Sequence, residues 1–209
     1  MDQSNSTHTQ LLNGATDTLR QLSANISNLT DQIYTRESQA LPGSTIGKHV
    51  RHLLDHFNIL ITALSNNTPL ATVNYSSRVR DTVVESSVKG GQDAIDDMAH
   101  ISLLDCNRML EEGTLALRTP IRVIDVLPSG AESAFMSTLG REFWFCIHHM
   151  VHHNAIIASL MYEFGCTSSK EFAYAPSTAK ALKQQQQQQA TAATTTAAEA
   201  EAEAEAAAE

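Results

Sequence analysis

Seven of the nine histidines in this 209-residue chain fall in two stretches, HVRHLLDHF and FCIHHMVHHNAII. The first carries His49, His52 and His56; the second carries His148, His149, His152 and His153. On a helix, side chains four apart share a face, so His148/His152 and His149/His153 are both chelating pairs by geometry. One pair leaves a metal half-coordinated. A third imidazole from a facing helix completes a three-ligand site with open positions, the arrangement that catalytic metals use. A lone histidine near a core is usually bonded to a carbonyl or water. Two pairs on one helix facing a second cluster favour a divalent metal instead.

Other chemistries are less well served. No carboxylate interrupts HHMVHH, so the metalloprotease pattern with Glu after the first His is absent, and no two-histidine, one-carboxylate set shows. A glycine-rich phosphate loop and a nucleophile elbow are also missing. Cys146, one turn before His149, is read as a small buried hydrophobe rather than a softer ligand.

Helical phase ranks the histidines. At 100° per residue the apolar side of the later helix centres near Phe143, Ile147, Met150, Ile157 and Met161. His149 and His153 flank that side, in a row with Cys146, Ile156 and Leu160. His148 and His152 turn away and are expected at the surface or as groups that orient the ligands. In the earlier helix, His49 and His56 lie nearer the apolar centre than His52, so phase alone selects His56 or His49.

The elements that must position these residues follow from periodicity. Leu12, Ala15, Leu19, Leu22, Ile26, Leu29 and Ile33 alternate in steps of three and four, predicting a first amphipathic helix over about residues 8–36. Pro42 and Gly43 end that unit, and Ser44 or Thr45 caps the next helix, IGKHVRHLLDHFNILITAL. Residues 65–81 have turn chemistry and read as an ordered loop. A third helix is expected over about 87–106, with Ile95, Met98, Ile101 and Leu104 inward and Gly90 and Gly91 weakening its start. PIRVIDVL, a Pro-Ser-Gly turn at 128–130 and SAFMS predict a two-stranded hairpin. A fourth helix over about 138–164 is closed by Gly165. The fold class expected is all-α, a helix bundle with a small β-hairpin before the fourth helix.

Beyond Lys183 the chain becomes QQQQQQ, then Ala/Thr, then alternating Glu and Ala. Residues 1–183 are therefore expected to form the folded domain, and 184–209 a low-complexity, disordered tail. That tail supplies five of the glutamates behind the net charge of −9, which leaves about −4 on the body. No basic block suits a phosphate backbone, so nucleic acid is not an expected partner. No run reaches the roughly 18 apolar residues of a membrane helix, and MDQSNSTHTQ lacks a signal pattern. Three cysteines without paired spacing fit a reducing compartment, so a soluble, cytoplasmic protein is expected.

In the long loop, Tyr75, Arg78, Arg80 and Asp81 lie where they could cover the metal end of the bundle. Tyr75 and Arg80 are the candidate catalytic residues: a phenol donates to developing negative charge, and a guanidinium holds a carboxylate or thiolate. A structural pairing of Arg80 with Asp81, or a cap on the third helix, is the favoured alternative. Arg141 and Glu142 are expected to have structural roles.

The stretches STIGKHVRHLLDHF and HMVHHNAII, together with VNYSSRVRDTVVES, STLGREFWF and FAYAPSTAKAL in that order, resemble the DinB/YfiT-like superfamily of metalloenzymes over nearly all of residues 8–183. The resemblance implies an antiparallel four-helix bundle with a long crossover between its second and third helices. It implies a metal centre of three histidines holding nickel, zinc or iron, which maps onto His52, His149 and His153, with His56 as the alternative third ligand. Asn154-Ala155-Ile156 stands where other members often have Arg-Gly-Gln, a departure that bears on pocket chemistry more than on metal binding. The expected function is metal-dependent hydrolysis or thiol-linked group transfer on a small molecule, with a thiol among the candidate substrates and a homodimer left open. A non-catalytic metal- or ligand-binding bundle is the alternative.

Overall fold

A computed structural model describes residues 3–66, 68–77 and 82–206. Helix α1 (Gln3–Ile26) buries the expected row Leu12, Ala15, Leu19, Leu22 and Ile26. It stops at Ile26, ten residues or so short of the expected end. Asn28 and Thr30 compete with the helical backbone. Thr30 instead caps a single new turn, α2 (Asp31–Tyr34), its hydroxyl accepting from Ile33 N at 3.3 Å. That turn sinks Tyr34 into the core, where its hydroxyl donates to the Val84 carbonyl at 2.8 Å.

Helix α3 (Ile46–Ser65) starts at Thr45, whose hydroxyl accepts from Lys48 N at 3.1 Å. Val50, Leu53, Leu54, Phe57 and Leu60 form its buried face. Within the stretch expected to be loop, β1 (Ala71–Asn74) is a strand, and α4 (Val83–Ser86) is one helical turn. Arg78, Arg80 and Asp81 lie outside the described residues.

The third long helical unit runs as α5 (Val88–Asp97), a π-helical turn (Met98–Ser102) and α6 (Leu103–Glu111). Gly90 and Gly91 do more than weaken its start. A Cβ on Gly91 would strike the Tyr34 hydroxyl, and one on Gly90 would strike the Val83 carbonyl. Both glycines let neighbouring segments close on α5. The π turn resets the inward face. Ile95, Met98, Ala99, Leu103 and Cys106 are buried, whereas Ile101 and Leu104, expected inward, are about 60% exposed (59% and 60%).

Strands β2 (Pro120–Val126) and β3 (Glu132–Thr138) form the expected hairpin, antiparallel with Val123 opposite Phe135. Its turn closes through Leu127 N to Ala131 O at 2.8 Å, with Gly130 at φ 84°. Strand β1 pairs parallel to β2, Val73 beside Val123, giving the order β1-β2-β3. The expected all-α class is therefore corrected: the fold is mainly helical and carries a three-stranded mixed sheet. Val73 and Ile121 are buried and seat the sheet in the core.

Helix α7 (Leu139–Glu163) begins at Thr138, which accepts from Arg141 N at 3.4 Å, and ends before Gly165 at φ 76°. Phe143, Cys146, Met150, Ile157, Leu160 and Met161 are buried along it, as phase required. Residues 174–209 form a separate unit, beginning ten residues before the expected boundary at 183. Within it α8 (Pro176–Ala206) is one helix across the Gln, Ala/Thr and Glu/Ala segments. Proline suits a first helical position, and Ala, Gln, Lys and Glu all have high helix propensity.

Candidate metal centre

The two histidine stretches meet because α3 and α7 lie against each other and run in opposite directions. His49 contacts His153, His52 contacts His149 and His153, and His56 contacts His149 and Phe145. Residue numbers that rise along one helix thus fall along the other. This register places His52, His149 and His153 together, each with a ligand-capable atom within 4.8 Å of the others. His52 and His149 approach most closely, Nε2 to Nε2 at 3.2 Å. Among the described residues no carboxylate or cysteine joins this group.

His153 is 7% exposed. Its Nδ1 meets Nδ1 of His49 at 2.8 Å, and Nε2 of His49 meets the Ser44 hydroxyl at 2.6 Å. Burial, reinforced by the neighbouring imidazoles His149, His52, His49 and His152, pushes the pKa of His153 down to about 2. Burial, and then His152, also lowers that of His49. Both rings are therefore neutral at pH 7, the form that ligates metals.

Phase had favoured His49 or His56 over His52, and the structure gives these two other surroundings. His49 is the link between Ser44 and His153. His56 is buried; its Nδ1–H donates to the His52 carbonyl at 3.0 Å, and its ring stacks on Tyr75 at 5.0 Å and 16°. Phase misjudged His52 because it measures distance from the helix's own apolar centre. The neighbouring helix can meet the flank. His148 and His152 are exposed, as expected, with His148 stacked on Trp144 at 5.0 Å.

Tyr75, at the end of β1, is 6% exposed and its hydroxyl lies 3.8 Å from Cys146 Sγ. Burial raises its pKa far above the ordinary phenol value, with Cys146 and Glu142 adding to the effect, so it keeps its proton. Burial pushes the Cys146 thiol up to about 12, in keeping with a packed side chain rather than a thiolate ligand. Arg80, the other candidate catalytic residue, is outside the described residues.

A cleft of about 800 Å³ opens at the cluster, lined by His52, His56, His149, Tyr75, Asp125 and Phe145. Asp125 was missed in the sequence. It stands near the end of β2, and no local pattern tells which strand end will face the helices. Glu142, 2% exposed, accepts from the Ser137 hydroxyl at 2.6 Å and from Arg141 at 3.2 Å through Oε1. It joins β3 to the first turns of α7.

No family model matches the chain, and no solved structure matches it. The chain is similar to FK506-binding protein 5 of Rhizopus delemar, 27% identical over 125 residues that cover 58% of this chain. The match spans 30% of that protein's length.

Proposed function

We propose that His52, His149 and His153 hold a divalent metal ion, nickel, zinc or iron, as the resemblance to the DinB/YfiT-like four-helix bundle enzymes implies. One observation carries the reading: three imidazoles from two antiparallel helices converge within 4.8 Å, with two Nε2 atoms 3.2 Å apart. Two nitrogens each about 2.05 Å from a tetrahedral ion would stand about 3.3 Å apart, so the pair is already at the spacing of a bound metal. The donor set is three imidazoles, suited to zinc, nickel and iron.

The chain's own residues divide the work. Nδ1 of His153 is engaged by His49, which leaves Nε2 to face the centre. Ser44 holds His49 in turn, and such outer hydrogen bonds fix the orientation and tautomer of a ligating ring. Tyr75 offers a protonated phenol at the cleft wall, able to donate to an oxygen that gains negative charge. Phe145 keeps one side of the cleft apolar. A bound divalent ion would act as a Lewis acid toward a carbonyl, water or thiol in the open cleft. Hydrolysis or thiol-linked transfer on a small molecule is the reaction class this supports. The open cleft beside His52 and His149 favours it over a closed structural site.

Elemental analysis of untagged protein tests the reading. We expect about one metal ion per chain, lost in His52→Ala, His149→Ala and His153→Ala and kept in His148→Ala, since only the first three converge. Protein of full stability that purifies without metal, or a His52→Ala variant that keeps it while His56→Ala loses it, refutes the proposal.

A further inference from the structure

Beside the histidine cleft lies a second cavity of about 300 Å³, between the sheet and the first turns of α7. The two share Tyr75, Asp125 and Phe145, so they are neighbouring compartments of one groove. The smaller one is bounded by Phe135, Met136, Arg141 and Glu142.

Glu142 is the anomaly here. It is 2% exposed; Oε1 has two donors, the buried Oε2 has none at hydrogen-bond distance, and the protonated Tyr75 hydroxyl lies beside the carboxylate. A carboxylate oxygen without a donor is costly in a protein interior, and such atoms commonly mark the place of a missing partner. Charges in the cavity wall reinforce the point. Asp125 and Glu142 are acidic and Arg141 is basic, so the wall sums to −1. Arg141 is already committed, its guanidinium 3.2 Å from Glu142 Oε1 and 5.1 Å from the Phe145 ring centre. One monovalent cation would balance the wall. The remaining surface is aromatic and thioether. Phe135 and Met136 are 51% and 64% exposed at its rim, and the rings of Phe145 and Tyr75 stand inside. Aromatic faces attract an ammonium group and accept an alkyl chain equally well.

We propose that this cavity is a subsite for the ammonium end of a small amine, held by the Glu142 carboxylate with its apolar part against Phe135 and Phe145. A substrate that also reaches the histidines must be extended. Glu142 and His149 are seven residues apart on one helix, which places them about 10 Å apart along its axis. The subsite thus selects amine-bearing molecules several bonds long. It stands on the cavity and on Glu142, so it does not depend on metal at the histidines.

Calorimetric titration of the full-length chain with n-hexylamine, hexan-1-ol and hexanoate tests this, in zinc-loaded and in chelator-treated protein. We expect hexylamine to saturate one site in both preparations, at least about tenfold tighter than the alcohol or the acid, as a charge-assisted contact requires. Glu142→Gln should erase that preference, whereas Glu111→Gln, which removes one acidic charge elsewhere, should keep it. Equal binding of amine and alcohol, absence of amine binding, or an unchanged preference in Glu142→Gln overturns the proposal. Where Glu142→Gln does not fold, the amine-to-alcohol ratio of the unaltered chain still decides. Asp125→Asn, at an exposed position, should then lower that ratio by about threefold at the same wall. Metal content measured on the same samples reports on the histidine site separately.

Discussion

The ring of His153 is set by partners outside the cluster. Its Nδ1 shares a hydrogen bond with Nδ1 of His49, whose Nε2 shares one with the Ser44 hydroxyl; a metal on Nε2 of His153 would make Nδ1–H the donor to His49 and Nε2–H of His49 the donor to Ser44. His49→Ala should therefore leave the three converging imidazoles in place yet weaken metal binding by about 10- to 100-fold, measured by competition with a chelator. His152→Ala, at an exposed position, should change it little. Acid has a defined direction. In the folded chain without metal the pKa of His153 is about 2, below its ordinary value of 6.5. The unfolded chain thus binds more protons between those limits, and stability falls as pH falls below 6.5. Thermal unfolding of chelator-treated protein should show Tm dropping from pH 7.5 to pH 5.5. His153→Phe should flatten that slope, and a Tm independent of pH in the unaltered chain contradicts the account.

Among the elements, the π turn at Met98–Ser102 has the most distinct consequence. One extra residue in a turn rotates everything after it, so the i, i+3 steps that put Ile101 and Leu104 inward lose their phase. Leu103 is 2% exposed and Leu104 60%. Leu103→Ala should cost about 2–5 kcal/mol in denaturant unfolding, and Leu104→Ala under about 0.5 kcal/mol. The opposite order would return Leu104 to the core. Strand β1 escaped detection for a related reason. Its burial pattern over four residues has only Val73 fully inside, too little alternation to register as a strand. Pairing with β2, from beyond the third helical unit, makes it one.

At the scale of the molecule, the cluster joins residues 97 apart in the chain, His52 and His149. All three candidate ligands, the cleft and the smaller cavity lie within residues 1–173, and residues 174–209 form their own unit. A chain ending at Ala173 should keep the metal stoichiometry of the full-length protein and its cooperative unfolding. Loss of either would show that α8 supports the site.

Much of this was local and so legible in the residues. Ser44 or Thr45 as a cap, Gly165 as a stop, the inward row of α7 and the pairing of His149 with His153 all follow from helix geometry over a few residues. The hairpin follows from its turn chemistry. What the residues left open was which imidazole of α3 would meet that pair. Phase pointed to His49 or His56 and away from His52, but the choice depends on where α7 crosses and in which register. Asp125 and the orphaned oxygen of Glu142 became visible only once the sheet was laid against α7. Periodicity describes one element in its own frame, whereas a site between elements is decided by the packing of two of them.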